Sequence, residues 1–274
     1  MLNRRRFSPG FPEDDWHQQN RERAALVREE HDFLEALRAE VRDAAAAAPT
    51  EPHAFRVWFE ALKQTGPGQG DPLFPWLGEK ASREEMRWYL RQEVAGEAGF
   101  DDLVALTQVK LPKRPKLELA RNYWDEMGRG NIKGMHGPML ETLSSALSLR
   151  PSTEETVWES LSLANTMAGL AANRCYAYHA VGALGAIELT APGRSVHVAA
   201  GLRRLGVPAG DRHYFDLHAV LDVKHSLAWN EEAIEPLVAD DPRIATAIAE
   251  GALMRLTCGA RCFARYRAIL WQKP

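Results

Sequence analysis

The chain has 274 residues, of which 45% are hydrophobic, and a formal net charge of −3. That is enough apolar mass for a sizeable core, with no basic excess to suggest nucleic acid or an anionic membrane as partner. No run of about 18 apolar residues occurs, which argues against a membrane-spanning helix, and the three cysteines, Cys175, Cys258 and Cys262, match neither a disulfide framework nor a zinc pattern.

The basic opening "MLNRRRFSPGF" leads into no apolar stretch, so a secretory signal is not expected and a cytoplasmic protein is. Strand signals are nearly absent, and Ala, Leu, Arg and Glu recur at helical spacing. A long helix is predicted over about 15–46, with Leu26, Phe33, Leu34 and Leu37 at apolar positions, stopped by Pro49 and Pro52. A short helix over about 53–64 leads into the Gly/Pro-rich connection "TGPGQGDPLFPW". Ser82 with Glu85 three residues on forms a capping-box pattern. The helix it opens carries Trp88, Leu90, Glu93 and Glu97, and continues through "GFDDLVALTQV" until "LPKRPK" breaks the chain. Further helices are predicted at about 116–127, 132–149, 153–172, 173–190, 194–205, 212–229 and 240–271, with breaks at Pro151, Pro192 and "GVPAGD". No solenoid repeat is present. The fold class is all-α: residues 1–50 form an N-terminal arm and helix packed on one domain over 51–274.

In "FDLHAVLDVKHSLAW", His218, Asp222 and His225 stand at i, i+4 and i+7, within roughly 60° of one another around a helix. Neutral imidazoles and a carboxylate suit iron, manganese or zinc; hydrogen-bonded interior polar residues are the alternative. Glu188 lies in "AYHAVGALGAIELTAP", a segment apolar nearly all round, where a buried carboxylate needs a cation, a proton or a hydrogen-bond network. His179, nine residues earlier, is read as supporting or structural. Glu126 and His136 stand ten apart, about 15 Å along an uninterrupted helix. Gly128, Gly130 and Gly134 interrupt it and permit a bend that returns His136 to Glu126. Glu93 and Glu97 are one turn apart, with Asp101 and Asp102 beyond in a run of acids that otherwise reads as a solvated face. Cys258 and Cys262, one turn apart, are read as two small buried side chains.

Taken in order, these residues resemble the haem-oxygenase-like diiron oxidase and oxygenase superfamily over roughly residues 80–230. The resemblance implies a haem-oxygenase-like seven-helix bundle, here with an extra N-terminal helix, that binds two irons in place of haem. The implied metal ligands are Glu93 (with Glu97 as its substitute), Glu126, His136, Glu188, His218, Asp222 and His225. His-x-x-x-Asp-x-x-His and Glu126-x9-His136 are similar to the N-oxygenating branch. The resemblance further implies that O₂ adds to the diferrous centre to give a peroxo-diferric oxidant, which N-oxygenates a small amine to the hydroxylamine or nitro level. Electrons come from an external reductant, since no flavin- or nicotinamide-binding glycine motif appears. The expected partners are that small-molecule substrate and the reductant, with a homodimer compatible. Oxidative decarboxylation or fragmentation of a fatty or amino acid is the alternative outcome on the same ligands. Rivals of another class are a haem-binding protein, with His31 in "REEHDFLEAL" as axial ligand, and a metal-free helical ligand-binding protein. Trp88, Tyr89, Tyr123 and Trp124 are candidates for pocket walls, and "LPKRPK" and Arg194 for attracting an acidic group. Without cations, the helix carrying His218, Asp222 and His225 is expected to be poorly ordered.

Overall fold

Three of the helices begin where a side-chain oxygen meets otherwise unpaired backbone N–H groups. Asp15 accepts from Gln18, Glu51 from His53 and Ala54, and Ser82 and Glu85 exchange the two bonds of a capping box. The computed structural model describes residues 7–11, 15–97 and 99–272, so the basic start at residues 1–6 lies outside the described residues. The helices are α1 (Trp16–Ala46), α2 (Pro52–Thr65), α3 (Leu73–Glu79), α4 (Arg83–Gly96), α5 (Phe100–Thr107), α6 (Lys113–Glu126), α7 (His136–Ala146), α8 (Trp158–Ala172), α9 (Ala177–Arg204), α10 (His213–Trp229), α11 (Glu235–Asp240) and α12 (Ile244–Leu270). Among the described residues there is no strand, and no helix is long and apolar enough to cross a membrane.

Helix α9 is the axis of the bundle. It is buried on nearly every side, and it packs most extensively on α12 and α10. Small residues set the α9–α12 crossing: a Cβ on Gly182 would lie 1.9 Å from the Ile248 carbonyl oxygen, and one on Gly251 would lie 1.9 Å from that of His179. The two backbones touch reciprocally through these glycines. Helix α1 contributes Leu34, Leu37, Val41 and Ala45 to the main apolar cluster. A second cluster, built on Leu73, Leu77, Leu90, Val198, Phe263 and Tyr266, fills the other end.

Several boundaries differ from the sequence expectation, each for a physical reason. Pro192 does not break the chain: α9 runs through it from Ala177 to Arg204. A proline there costs about 3 kcal/mol and removes the helical donor to the Glu188 carbonyl. Burial of Glu188, Leu189 and Thr190 before it, and of Ser195, Val198 and Ala199 after it, holds the helix together regardless. "LPKRPK" opens α6 instead of ending a segment, because Pro115 falls in the first turn, where its missing N–H is not needed. Conversely, "GFDDLVALTQV" does not continue α4. Glu97 is extended (φ −69°, ψ 124°) and Gly99 is left-handed (φ 76°), so α5 is a separate helix and Glu97 does not share a helical face with Glu93. The connection after α2 contains α3, and the stretch between the last two predicted helices is itself helical, a π turn (Asn230–Ile234) followed by α11, while α12 matches the last predicted helix.

Candidate metal centre

The turn between α6 and α7 brings the first ligand pair together. Gly128, Arg129 and Gly130 all have positive φ (59°, 54° and 83°), and Met127 bridges to Met135 across the bend. Gly128 and Gly134 pass so closely that a Cβ on Gly128 would lie 2.3 Å from the Gly134 carbonyl carbon. Two 3₁₀ turns, Gly128–Gly130 and Ile132–Gly134, then deliver His136 at the head of α7. Its Nδ1 stands 2.7 Å from a Glu126 carboxylate oxygen, the close return that the three glycines predicted.

Helix α10 presents His218, Asp222 and His225 to this pair, and α9 presents Glu188. All six residues are at most 9% exposed. They form two overlapping groups, Glu126–His136–His218 and Glu126–Glu188–His225, and within each the ligand atoms all lie within 4.8 Å of one another. Glu126 belongs to both. Asp222 adjoins the second group, with an oxygen 4.0 Å from His225 Nδ1. His136 and His218 meet edge to face, ring centroids 4.6 Å apart.

Neighbouring groups orient these side chains, as outer partners do for metal-binding histidines. His218 Nδ1–H donates to the Tyr214 carbonyl (2.6 Å), which leaves Nε2 as the available lone pair. His225 Nε2–H donates to Asp125 (3.2 Å), itself held by Arg129 (2.6 Å), which leaves Nδ1 facing Glu188 at 3.5 Å. Asn122 donates to Glu188 at 2.6 Å.

The residues present fit a pair of cations. His136 Nδ1, His225 Nδ1 and an Asp222 oxygen are buried and have no hydrogen-bond partner. Nδ1 of His136 and the Glu126 oxygen are close but not aligned for a hydrogen bond. Buried polar atoms without partners are costly, and a pair of cations, one in each group, would satisfy these three. Carboxylates with neutral imidazoles form a donor set suited to iron. The proton affinities agree. Burial, followed by the charges of Glu188 and Glu126, raises Asp222 to about 10. Burial and Glu188 also raise Glu126 well above the usual range. Burial lowers His136 to about 4, with His225 adding to the effect, and lowers His218 to about 4, with His136 adding. Burial also pulls on His225, but Glu188 and Asp125 outweigh it and hold that group at about 9.

Glu93 stands apart from the two groups. It lines the same cavity, and its carboxylate accepts from the Tyr266 hydroxyl at 3.1 Å. Glu97 also lines the cavity, and both it and Asp101 add to the negative charge acting on Glu126. Sequence reasoning missed Asn122 and Asp125 as supporting residues. The legible signal was Glu118, Asn122 and Glu126 at four-residue spacing on one buried face of α6. His179 belongs to a different network, bonding Glu250 at 2.9 Å, which Arg38 also pairs at 2.7 Å. His31 has a half-exposed side chain on α1 and does not line the cavity. Cys258 and Cys262 are free and buried. Of the four aromatic candidates for pocket walls, Tyr89 lines the cavity, whereas Trp124 is exposed.

The sequence profile of the family described as iron-containing redox enzyme matches residues 87–260, more than half of the chain and every ligand candidate. The chain belongs to that family. As an iron-containing redox enzyme it is an oxidoreductase, and the clustered carboxylates and histidines are its candidate iron ligands. Two crystal structures of a CADD-like protein of unknown function from Nostoc punctiforme PCC 73102 share its all-α, haem-oxygenase-like fold. One is 16% identical, with a TM-score of 0.50, covering 89% of this chain and 99% of that one. The other is 15% identical, with a TM-score of 0.51, covering 90% and 99%. No curated protein matches this iron-containing redox enzyme in sequence.

Proposed function

We propose that this protein is a non-haem diiron oxygenase that uses O₂ and an external electron donor to N-oxygenate a small amine. One observation carries the diiron reading: a single buried carboxylate, Glu126, is common to two separate three-residue ligand groups. Glu126, His136 and His218 would hold one iron, and Glu126, Glu188 and His225 the other, with Asp222 beside the second. Glu93 and Glu97 line the cavity as further carboxylates, either of which completes the set. The iron pair, when bound, supplies O₂ activation and the redox equivalents for oxygen transfer.

The protein's own contribution is positioning, charge and dryness. Tyr214 and Asp125 fix which nitrogen of His218 and of His225 is free, and Asn122 holds one oxygen of Glu188. The cavity lies at the seam between the two apolar clusters, with Leu103 and Met167 from one and Val198 and Phe215 from the other. Such walls exclude water and strengthen every charge interaction inside. Its volume, about 160 Å³, suits a small substrate and argues against a long acyl chain. The third histidine, His218, packed against His136, supports the amine outcome through the resemblance in residue order. Turnover under ¹⁸O₂ with a panel of small amines tests the reaction class. Label on product nitrogen is expected; an unlabelled, fragmented product would contradict N-oxygenation while leaving the iron site standing.

A further inference from the structure

The cavity that holds the ligand candidates also contains two guanidinium groups, Arg194 from α9 and Arg255 from α12. Arg255 is 8% exposed, and its Nε is buried with no hydrogen-bond partner. Among the described residues, neither arginine has a carboxylate within ion-pair distance; Glu93 and Glu97 act on Arg255, and Asp222 on Arg194, only at longer range. The two like charges also act on each other. Burial lowers Arg255 to about 10, and Arg194 pushes in the same direction. Other arginines are paired with carboxylates, as Arg38 is with Glu250, Arg56 with Glu235 and Arg114 with Glu232, or bond backbone carbonyls, as Arg174 and Arg204 do.

Their surroundings hold these groups in place without neutralising them. The Arg194 guanidinium carbon sits 5.7 Å from the centre of the Phe263 ring. Gly259 makes room for Arg255, since a Cβ there would stand 2.8 Å from Nη1. A buried guanidinium without a counterion is expensive to keep, and a bidentate oxyanion is the group that its planar fork fits. The cavity thus combines carboxylate and imidazole ligand candidates with two guanidinium groups that have no direct ion-pair partner, a polarity that matches a small molecule carrying both an acid and an amine.

We propose that Arg194 and Arg255 form the carboxylate-binding end of the substrate cavity. The substrate is then a small carboxylic acid of about the size of one amino acid, with its amine directed towards the ligand cluster. The direction of the amine rests on the proposed N-oxygenation; the carboxylate site does not. An engineered cavity of about 150 Å³ admits benzene, so benzoate is a suitable probe for a cavity of about 160 Å³, and benzamide is its uncharged counterpart.

The test is calorimetric titration of benzoate and benzamide into the full chain loaded anaerobically with Fe(II). Benzoate is expected to bind, benzamide at least tenfold more weakly, and Arg194→Gln and Arg255→Gln each to lose about tenfold or more in benzoate affinity. Iron stoichiometry should be unchanged in both variants. Arg255→Lys, which keeps the charge, should retain part of the affinity, and Arg255→Gln should melt no lower than the parent, because it removes a buried unpaired charge. Equal benzoate affinity in parent and both glutamine variants would overturn the proposal, as would no benzoate binding at all. So would a fall in Tm of Arg255→Gln combined with no binding by Arg255→Lys, which would mark Arg255 as structural. If the chain takes up no iron, the diiron reading fails alone, and the same benzoate comparison on the iron-free chain still decides the arginine site.

Discussion

At the scale of single residues, Glu126 and its neighbour Asp125 have opposite duties on successive positions of α6. Glu126 faces both ligand groups; Asp125 faces outward to Arg129 and steers His225 from behind. Replacing Glu126 with Ala should therefore abolish binding of both irons, whereas His218→Ala should spare one. Asp125→Asn should keep the stoichiometry and weaken metal affinity by about 10–100-fold; metal analysis after equilibrium dialysis distinguishes the three. A pH dependence follows from the same residues. Asp222 at about 10 and His225 at about 9 hold protons at pH 7 until a cation displaces them. The metal-bound state carries fewer protons than the metal-free one, so apparent Fe(II) affinity should rise between pH 6 and pH 9, with proton release measurable in weakly buffered solution. An affinity that falls over that range would contradict this assignment. Much of the set was legible in the sequence, because Glu188 in an apolar helix and His-x3-Asp-x2-His on one face both contradict simple burial. Asn122 was signalled only by its four-residue spacing from Glu118 and Glu126, and Asp125 by nothing, since a polar side chain on a half-buried helix carries no sign of which way it turns.

At the scale of elements, the centre depends on one irregular turn and one tight crossing. Gly128→Ala would place a methyl group against Gly134 in a left-handed backbone. It should cost about 1–3 kcal/mol and lower iron content, because His136 would no longer return to Glu126. Gly182→Ala meets the Ile248 carbonyl and should destabilise the protein by a similar or larger amount in urea unfolding. Helix α10 is continuous from His213 to Trp229. Buried Asp222 still faces Glu126 and Glu188 there, and both raise its pKa. Hydrogen exchange in α10 should slow markedly when Fe(II) is added; unchanged exchange would show that the helix needs no cation for its order. The glycine-permitted bend was readable from the sequence, and so was the capping box of α4. The continuity of α9 through Pro192 was not, because burial on both flanks overrides a local signal, and the α4–α5 break was hidden in a run of acids.

For the whole molecule, the all-α class followed from helical periodicity with no competing strand pattern, and the bundle from the family resemblance. Which helices meet around the cavity did not, since only the packing of α9 on α10 and α12 shows it. A ligand that binds the folded chain alone stabilises it by mass action, about 2.7 kcal/mol per site at 100 times its Kd. Thermal unfolding should therefore shift upward by several degrees with Fe(II) in the parent and not in Glu126→Ala. The central claim is two irons sharing Glu126, and anaerobic Fe(II) titration of the full chain, read as bound metal per polypeptide, tests it most directly. Close to two equivalents in the parent and none in Glu126→Ala is expected; one or zero in the parent, unaltered by either Glu126→Ala or His218→Ala, would contradict it.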